Sequence, residues 1–311
     1  MLTDKEQLIF DRFKNDFRDF LIEQIDEFIK VHGLQIDINS KRYLDKANCE
    51  DLLSKYLYNK QKIPSGKKRI HLSKEIMRSP LYKVFHKRIS ILCNILKQGK
   101  SIAPYLTTHA NNLKFEDRLL NDWGIIHLHL QPIGQRNPAT DGILLFAYFY
   151  GEDVFLVNIG NHRSFADKTL LEIIDNNWPQ LLDSFAGTKA PNLTDKEIIE
   201  LRKYNIGYAL HINDKVLATQ TDSIRNRMLP TISIFRIIED IARIVVSNEQ
   251  VFEEAIKTLP AEHKVVEIHL SFDAKNREVV LYDSKTMVGF KFNNADYLEV
   301  FSNVLRNTNV F

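Results

Sequence analysis

Between Thr3 and Gly33, apolar side chains recur every three or four residues: Phe10, Phe13, Phe17, Phe20, Leu21, Ile25 and Phe28. That spacing is the period of an α-helix and puts the rings on one stripe. Thr3-Asp-Lys-Glu6 ahead of it reads as a capping box, the hydroxyl and carboxylate satisfying free N–H groups at the helix start. Gly33 supplies the stop. A helix this long cannot leave an aromatic stripe in water, so the stripe must pack on the chain's own core or on a second copy. Core packing is the simpler use; homo-oligomerisation through this helix is the other.

Further along, LQIDI (34–38) alternates like a short strand, and a helix is expected from about Ser40 to Tyr58. NKQKIPSGKKR reads as an exposed loop, because Pro-Ser-Gly punctuates it. Ser79-Pro80 then reads as N-cap and first residue of a helix that runs to Gly99. Beyond about residue 115 the period changes. WGIIHLHL, GILLFAYFY and DVFLVNIG are strand-like, the last two joined by a tight Gly151-Glu-Asp turn. IGYALHIN and KVLATQ make a hairpin about Asn213-Asp214, Pro230 opens a long helix to about Leu259, VVEIHLSF, REVVLYD and MVGFKF form a meander, and a final helix closes the chain. Helices come first and mainly antiparallel strands later. This order predicts an α+β protein with a helical, basic-surfaced region over 1–115 and an α+β domain over 116–311.

No apolar stretch approaches the roughly 20 residues that span a bilayer, so no membrane is expected. MLTDKEQLIF lacks the basic-then-apolar layout of a secretory signal, and two cysteines, Cys49 and Cys93, make no disulfide framework. A cytoplasmic protein is the expectation. The chain has no Gly-rich phosphate loop before a helix and no Gly-x-Ser-x-Gly elbow, which argues against nucleotide hydrolysis and acyl transfer.

The formal net charge is only +2, but twelve Lys or Arg stand against one acid, Glu75, between Lys60 and Lys100. An anionic partner follows from that imbalance, and nucleic acid, RNA or DNA, is the one proposed. Lys67, Lys68, Arg69, Lys83, Lys87 and Arg88 are the expected phosphate contacts. The plain alternative is a solvated face whose counter-charges lie elsewhere in the fold.

His127 and His129 stand two apart in a strand, so their imidazoles share a face. His162 and Arg163 follow a later strand, and Arg136 follows the first through a Gly-containing loop. If the strands pair in sequence, these side chains converge. Two imidazoles and an arginine suffice to cleave RNA without metal: one takes the 2′-OH proton, the other protonates the leaving oxygen, and the guanidinium steadies the phosphorane. Three histidines also suit zinc, although no His-Glu-x-x-His or paired-Cys motif accompanies them. No metal or other cofactor is therefore expected. The bland alternative is that the histidines are polar residues of a structural sheet. IHLS occurs twice, at 70–73 and 268–271, and resembles the His-x-Ser motifs of 2H phosphoesterases.

LLNDWGIIHLHL, ILLFAYF, VFLVNIGNHRSF and NNWP, between Leu119 and Pro179, resemble uncharacterised bacterial proteins of mobile-element and phage-defence genes. The β-rich middle resembles RelE-type toxin endoribonucleases, whose small sheet carries basic and His residues. These strands lack that group's dense Lys and Arg set. The resemblance implies RNA cleavage in a defence or toxin-like role. A non-enzymatic DNA-binding or interaction subunit of a defence complex is the competing expectation.

Overall fold

The computed structural model describes residues 1–135, 142–185, 189–204, 206–219, 227–257, 267–273, 278–284, 288–291 and 299. Arg136 and the expected C-terminal helix lie outside the described residues. In chain order the elements are α1 (Asp4–His32), α2 (Ile38–Lys46), α3 (Cys49–Lys62), β1 (Arg69–Leu72), α4 (Lys74–Arg78), α5 (Pro80–Lys97), α6 (Arg118–Trp123) and β2 (Ile125–His129). Then come β3 (Leu144–Tyr150), β4 (Asp153–Gly160), α7 (Thr169–Asn177), α8 (Asp195–Lys203), β5 (Ala209–Ile212) and β6 (Lys215–Ala218). The last described elements are α9 (Leu229–Ser247), α10 (Glu249–Lys257), β7 (Ile268–Asp273), β8 (Glu278–Asp283) and β9 (Gly289–Lys291). Helices flank mainly antiparallel sheets, an α+β architecture. Two compact units divide the chain.

One unit holds residues 1–31, 41–58 and 226–311. The aromatic stripe of α1 is buried inside it: Phe13, Phe17, Phe20, Leu21 and Ile25 are core residues. The Phe17 ring meets Phe272 of β7 at 4.9 Å and Phe235 of α9 at 6.3 Å. The meander runs in the order β7-β8-β9, leaving β7 at an edge. Asp16 of α1 occupies that edge, accepting from Leu270 N at 2.8 Å and facing His269 Nδ1 at 2.9 Å, which blunts an otherwise open ladder.

The expected helix over 40–58 is two helices. The guanidinium of Arg18 takes the carbonyls of Leu44, Asp45 and Ala47 at 3.1, 2.9 and 3.1 Å, and Asn48 caps the restart by accepting from Asp51 N. Likewise the long helix from Pro230 ends at Asn248, whose backbone and side-chain N–H groups both donate to Ile244 O. Residues 34–37 form no strand, having no neighbouring strand to pair with.

The other unit holds residues 32–40 and 59–225. Its four-stranded sheet has the order β1-β4-β3-β2, with β1 parallel to β4 and the other pairs antiparallel. Strand β1 lies where the sequence read as loop: Arg69–Leu72 is an edge strand, its signal masked by the basic run on one side. Pairing supplied by β4 outweighs that local bias. β2, β3 and β4 pair in sequence order, as their turns predict. One face of the sheet carries Ile125, Phe146, Tyr148 and Phe155, and it is buried with Leu170, Ile174, Ile198, Leu210 and Leu217 in one core cluster. A bulge sits on this face, where Phe146 opposes Asn158 and Ala147 opposes Leu156, so that Val157 is the extra residue. The two IHLS copies lie in different sheets, β1 and β7, so they do not form the paired strands of a 2H site.

Candidate functional site

The site starts from α6. Asp117 is its N-cap, with Oδ1 accepting from Leu119 N at 2.8 Å and Leu120 N at 3.3 Å. Gly124, at φ 69°, ends the helix in the left-handed region that glycine adopts freely, and β2 begins at the next residue. The chain thus reverses, and His127 of β2 comes back beside Asp117, with Nδ1 2.8 Å from Oδ2. Facing the carboxylate, Nδ1 is the ring nitrogen that carries a proton toward it.

His129 is on the same face, with its centroid 6.1 Å from that of His127. At the far end of the sheet, β4 ends at Gly160 and the chain folds back as a 3-10 turn over His162–Ala166, capped by Asn161 Oδ1 on Arg163 N. This turn carries His162 over the sheet face to 6.1 Å from His127 and 5.9 Å from His129. The three imidazoles therefore form a near-equilateral cluster. The Phe165 ring packs against it, 4.7 Å from His127 and 5.3 Å from His162. Gly160 permits the tight fold-back, since a Cβ there would stand 2.7 Å from Ser164 Oγ and 3.2 Å from Phe146 Cε2.

His127 and His129 are 5% and 4% exposed, whereas His162 and Arg163 face solvent. The strand pair is thus a buried pair, not the surface pair that alternation suggests, because β2 is buried on both faces. Access to the cluster is from the His162 side. Burial raises the Asp117 carboxyl pKa, but the hydrogen bond and charge of His127, with the Leu119 and Leu120 N–H groups, outweigh it and hold it below the usual carboxylate value.

A second buried network lies beside the first. Arg202 of α8 donates from Nε to Asp122 Oδ2 at 2.6 Å and to Tyr208 OH at 3.1 Å, while Tyr208 OH donates to Asp122 Oδ2 at 3.0 Å. Its Nη1 donates to the Phe165 carbonyl, and its guanidinium lies 4.4 Å from the Trp123 ring centre. Arg202 thereby pins the turn that carries His162. Asp117, Asp122, Phe165, Arg202 and Tyr208 escaped the sequence reading. Only Asp117 left a signal: Asp before RLLNDW and Gly is an N-cap and C′ pattern. The Asp122–Arg202 pair spans 80 residues of sequence and leaves none.

Of the expected phosphate contacts, Lys67, Lys83 and Lys87 are exposed, on the approach to β1 and along α5. Lys68 is half-buried and donates to Gly151 O at 2.7 Å. Arg69 forks onto Asp153 at 2.9 and 2.7 Å, and His71 Nε2 meets the same carboxylate at 2.8 Å. Arg88 is half-buried on α5, with Nη1 enclosed and unbonded. The structure therefore brings His127, His129 and His162 together, with Arg163 beside the third; of the six basic residues it engages Lys68 and Arg69, leaves Lys67, Lys83 and Lys87 exposed and half-buries Arg88.

Among the described residues no group of three or more His, Cys, Asp or Glu side chains is arranged to hold a metal ion, and no helix is long and apolar enough to cross a membrane. No family model, curated protein or solved structure matches the chain.

Proposed function

We propose that the chain binds nucleic acid and cleaves RNA without a metal at the His127–His129–His162 cluster. The observation that carries this is the mutual approach of the three rings to about 6 Å, with Asp117 holding one of them. Solvent-facing His162 takes the proton of a ribose 2′-OH, and the 2′-oxygen attacks phosphorus. The bond to the 5′-oxygen breaks, His129 delivers a proton to that oxygen, and a 2′,3′-cyclic phosphate and a 5′-hydroxyl result. Arg163 steadies the phosphorane. Asp117 and His127 orient and polarise the pair from behind, and Lys67, Lys83 and Lys87 hold the phosphate backbone. The resemblance to toxin-like proteins supports a defence role for such cleavage.

The near-complete burial of His127 and His129 favours a second reading, a binder in which the cluster is structural and the basic residues alone meet nucleic acid. Incubating the purified chain with RNA and DNA, with and without chelator, separates the two. RNA cleaved to cyclic-phosphate ends despite chelator supports the first reading; nucleic acid shifted but intact supports the second. Cleavage that chelator abolishes overturns the metal-free mechanism.

A further inference from the structure

Strand β1 forms one edge of its sheet, and no strand among the described residues pairs with its open side. Arg69 N donates to Glu152 O at 2.8 Å and Ser73 N to Leu156 O at 3.0 Å, both on the β4 side. Backbone bonding direction alternates along a strand, so the N–H and C=O groups of Ile70 and Leu72 point outward. Side chains alternate as well: Arg69 and His71 share one face with Asp153, and Ile70 and Leu72 lie on the other. None of the four is buried. Such an edge is a template for an added strand. Elsewhere the chain closes an edge of the same sequence with a carboxylate. IHLS recurs in β7, where Asp16 accepts from Leu270 N at 2.8 Å and faces His269 Nδ1 at 2.9 Å. The matching residues of β1 are His71 and Leu72. His71 turns to Asp153 at 2.8 Å, and no carboxylate among the described residues takes the Leu72 N–H.

We infer that the open edge of β1 takes an extended acidic peptide, which extends the sheet by one strand and alternates carboxylates with apolar side chains. Main-chain bonds to Ile70 and Leu72 supply the attachment, and side chains supply the choice of partner. Charge sets the sign. From Lys67 to Arg78 the only acid is Glu75, which already accepts from Asn177 Nδ2 at 2.8 Å. Lys67, Arg69, Lys74 and Arg78 are exposed, while Glu152 and Asp153 lie on the β4 side, away from the edge. Arg69 gives Nε and Nη2 to Asp153 and keeps further N–H groups in solvent, with 69% of its side chain exposed. The two faces set the alternation: a carboxylate belongs beside Arg69 and His71, an apolar side chain beside Ile70 and Leu72. A second copy of the chain fits worse, because antiparallel self-pairing sets the basic residues before β1 against those after it. Nucleic acid offers phosphates to the lysines but no ladder of N–H and C=O groups to match the edge.

This edge lies across the sheet from His127 and His129 on β2, and the inference does not depend on RNA cleavage there. The test adds a blocked peptide of alternating valine and glutamate, about six residues long, to the intact isotope-labelled chain and follows amide exchange by NMR. At saturation the Ile70 and Leu72 amides should slow at least about tenfold, while those of Arg69 and Ser73, bonded within the sheet already, change little. The same peptide with lysine for glutamate should leave all four unchanged. Ile70→Pro removes an outward N–H that the sheet does not use, so the fold should survive and the peptide should no longer bind. Exchange is read in the native chain, so it decides even if that variant does not fold. Peptide binding that leaves Ile70 and Leu72 unprotected, equal binding of the lysine peptide, or no binding overturns the inference. Protection that grows with protein concentration alone gives the edge to a second copy, and equal protection by single-stranded RNA gives it to nucleic acid. Either result overturns the inference as well.

Discussion

Asp117 Oδ2 stands 2.8 Å from His127 Nδ1, while Oδ1 of the same carboxylate caps α6 through Leu119 N and Leu120 N. One side chain thus ties the start of a helix to the middle of the following strand. The folded pKa of Asp117 lies below its ordinary 3.8, so folding favours the ionised form. That contribution is fully present above about pH 3.8 and is lost as pH falls through the folded value. Asp117→Asn keeps the cap, since asparagine caps as well as aspartate, but it removes the charge facing His127. At pH 7 the variant should be less stable by about 2 kcal/mol, and the gap should narrow once the pH is taken well below 3.8. Urea midpoints at the two pH values check this; a gap of constant size would show that the carboxylate charge is idle.

Burial divides the three histidines. His127→Ala or His129→Ala empties a buried site and should cost about 1–3 kcal/mol. His162→Ala removes an exposed ring and should cost under about 0.5 kcal/mol. If His162 is the base, RNA cleavage should fall about 100-fold in that variant with its thermal midpoint unchanged. Full activity in His162→Ala would remove the solvent-facing base from the mechanism.

The convergence of these rings was legible because period-two alternation and short turns are local signals. His127, His129 and the hairpin at Gly151 could be placed from a few residues each. Their burial was not legible. Alternation describes a strand with one wet face, and β2 has none. Strand β1 was hidden for a related reason: Arg69, Ile70, His71 and Leu72 become a strand only because β4 lies alongside. The break at Ala47 also depends on a partner, the distant guanidinium of Arg18. Apolar periodicity runs straight through it.

Arg202 joins the two buried networks, holding Asp122 with one edge and the Phe165 carbonyl with another. Arg202→Met leaves Asp122 buried and uncompensated, for which about 3–5 kcal/mol is expected. Asp122→Leu combined with Arg202→Met should recover much of that loss, since a buried pair replaced by apolar groups is often near neutral. Hydrogen exchange should speed up at the Ser164 and Asp167 amides, which bond within the turn. Unchanged exchange there would mean the turn holds without the arginine.

Gly160→Ala tests the fold-back itself. The added methyl would meet Ser164 Oγ at 2.7 Å and the edge of the Phe146 ring at 3.2 Å. The serine can rotate, but the buried phenyl ring cannot retreat freely, so a cost of about 1–3 kcal/mol is expected. The His162 imidazole resonances should shift in NMR as the turn moves. A variant of native stability with unshifted resonances would show the approach to be soft.

The basic residues differ in how much charge they have left to offer. Arg69 is already forked onto Asp153, and Lys68 is half-buried against Gly151 O, with a pKa lowered by burial. Lys67, Lys83 and Lys87 stand in water. A phosphate contact releases counterion, so each lysine that makes one adds about 0.9 to the slope of log affinity against log salt for duplex DNA, and somewhat less for a single strand. Alanine at Lys67, Lys83 or Lys87 should therefore lower both the affinity and that slope, by about one contact each. Alanine at Arg69 should change the slope less, because the arginine must leave Asp153 before it can serve a phosphate. Binding measured between about 50 and 200 mM salt decides the order. If Arg69→Ala has the largest effect, the interface lies at the edge of β1, where His71 shares Asp153, and not along α5.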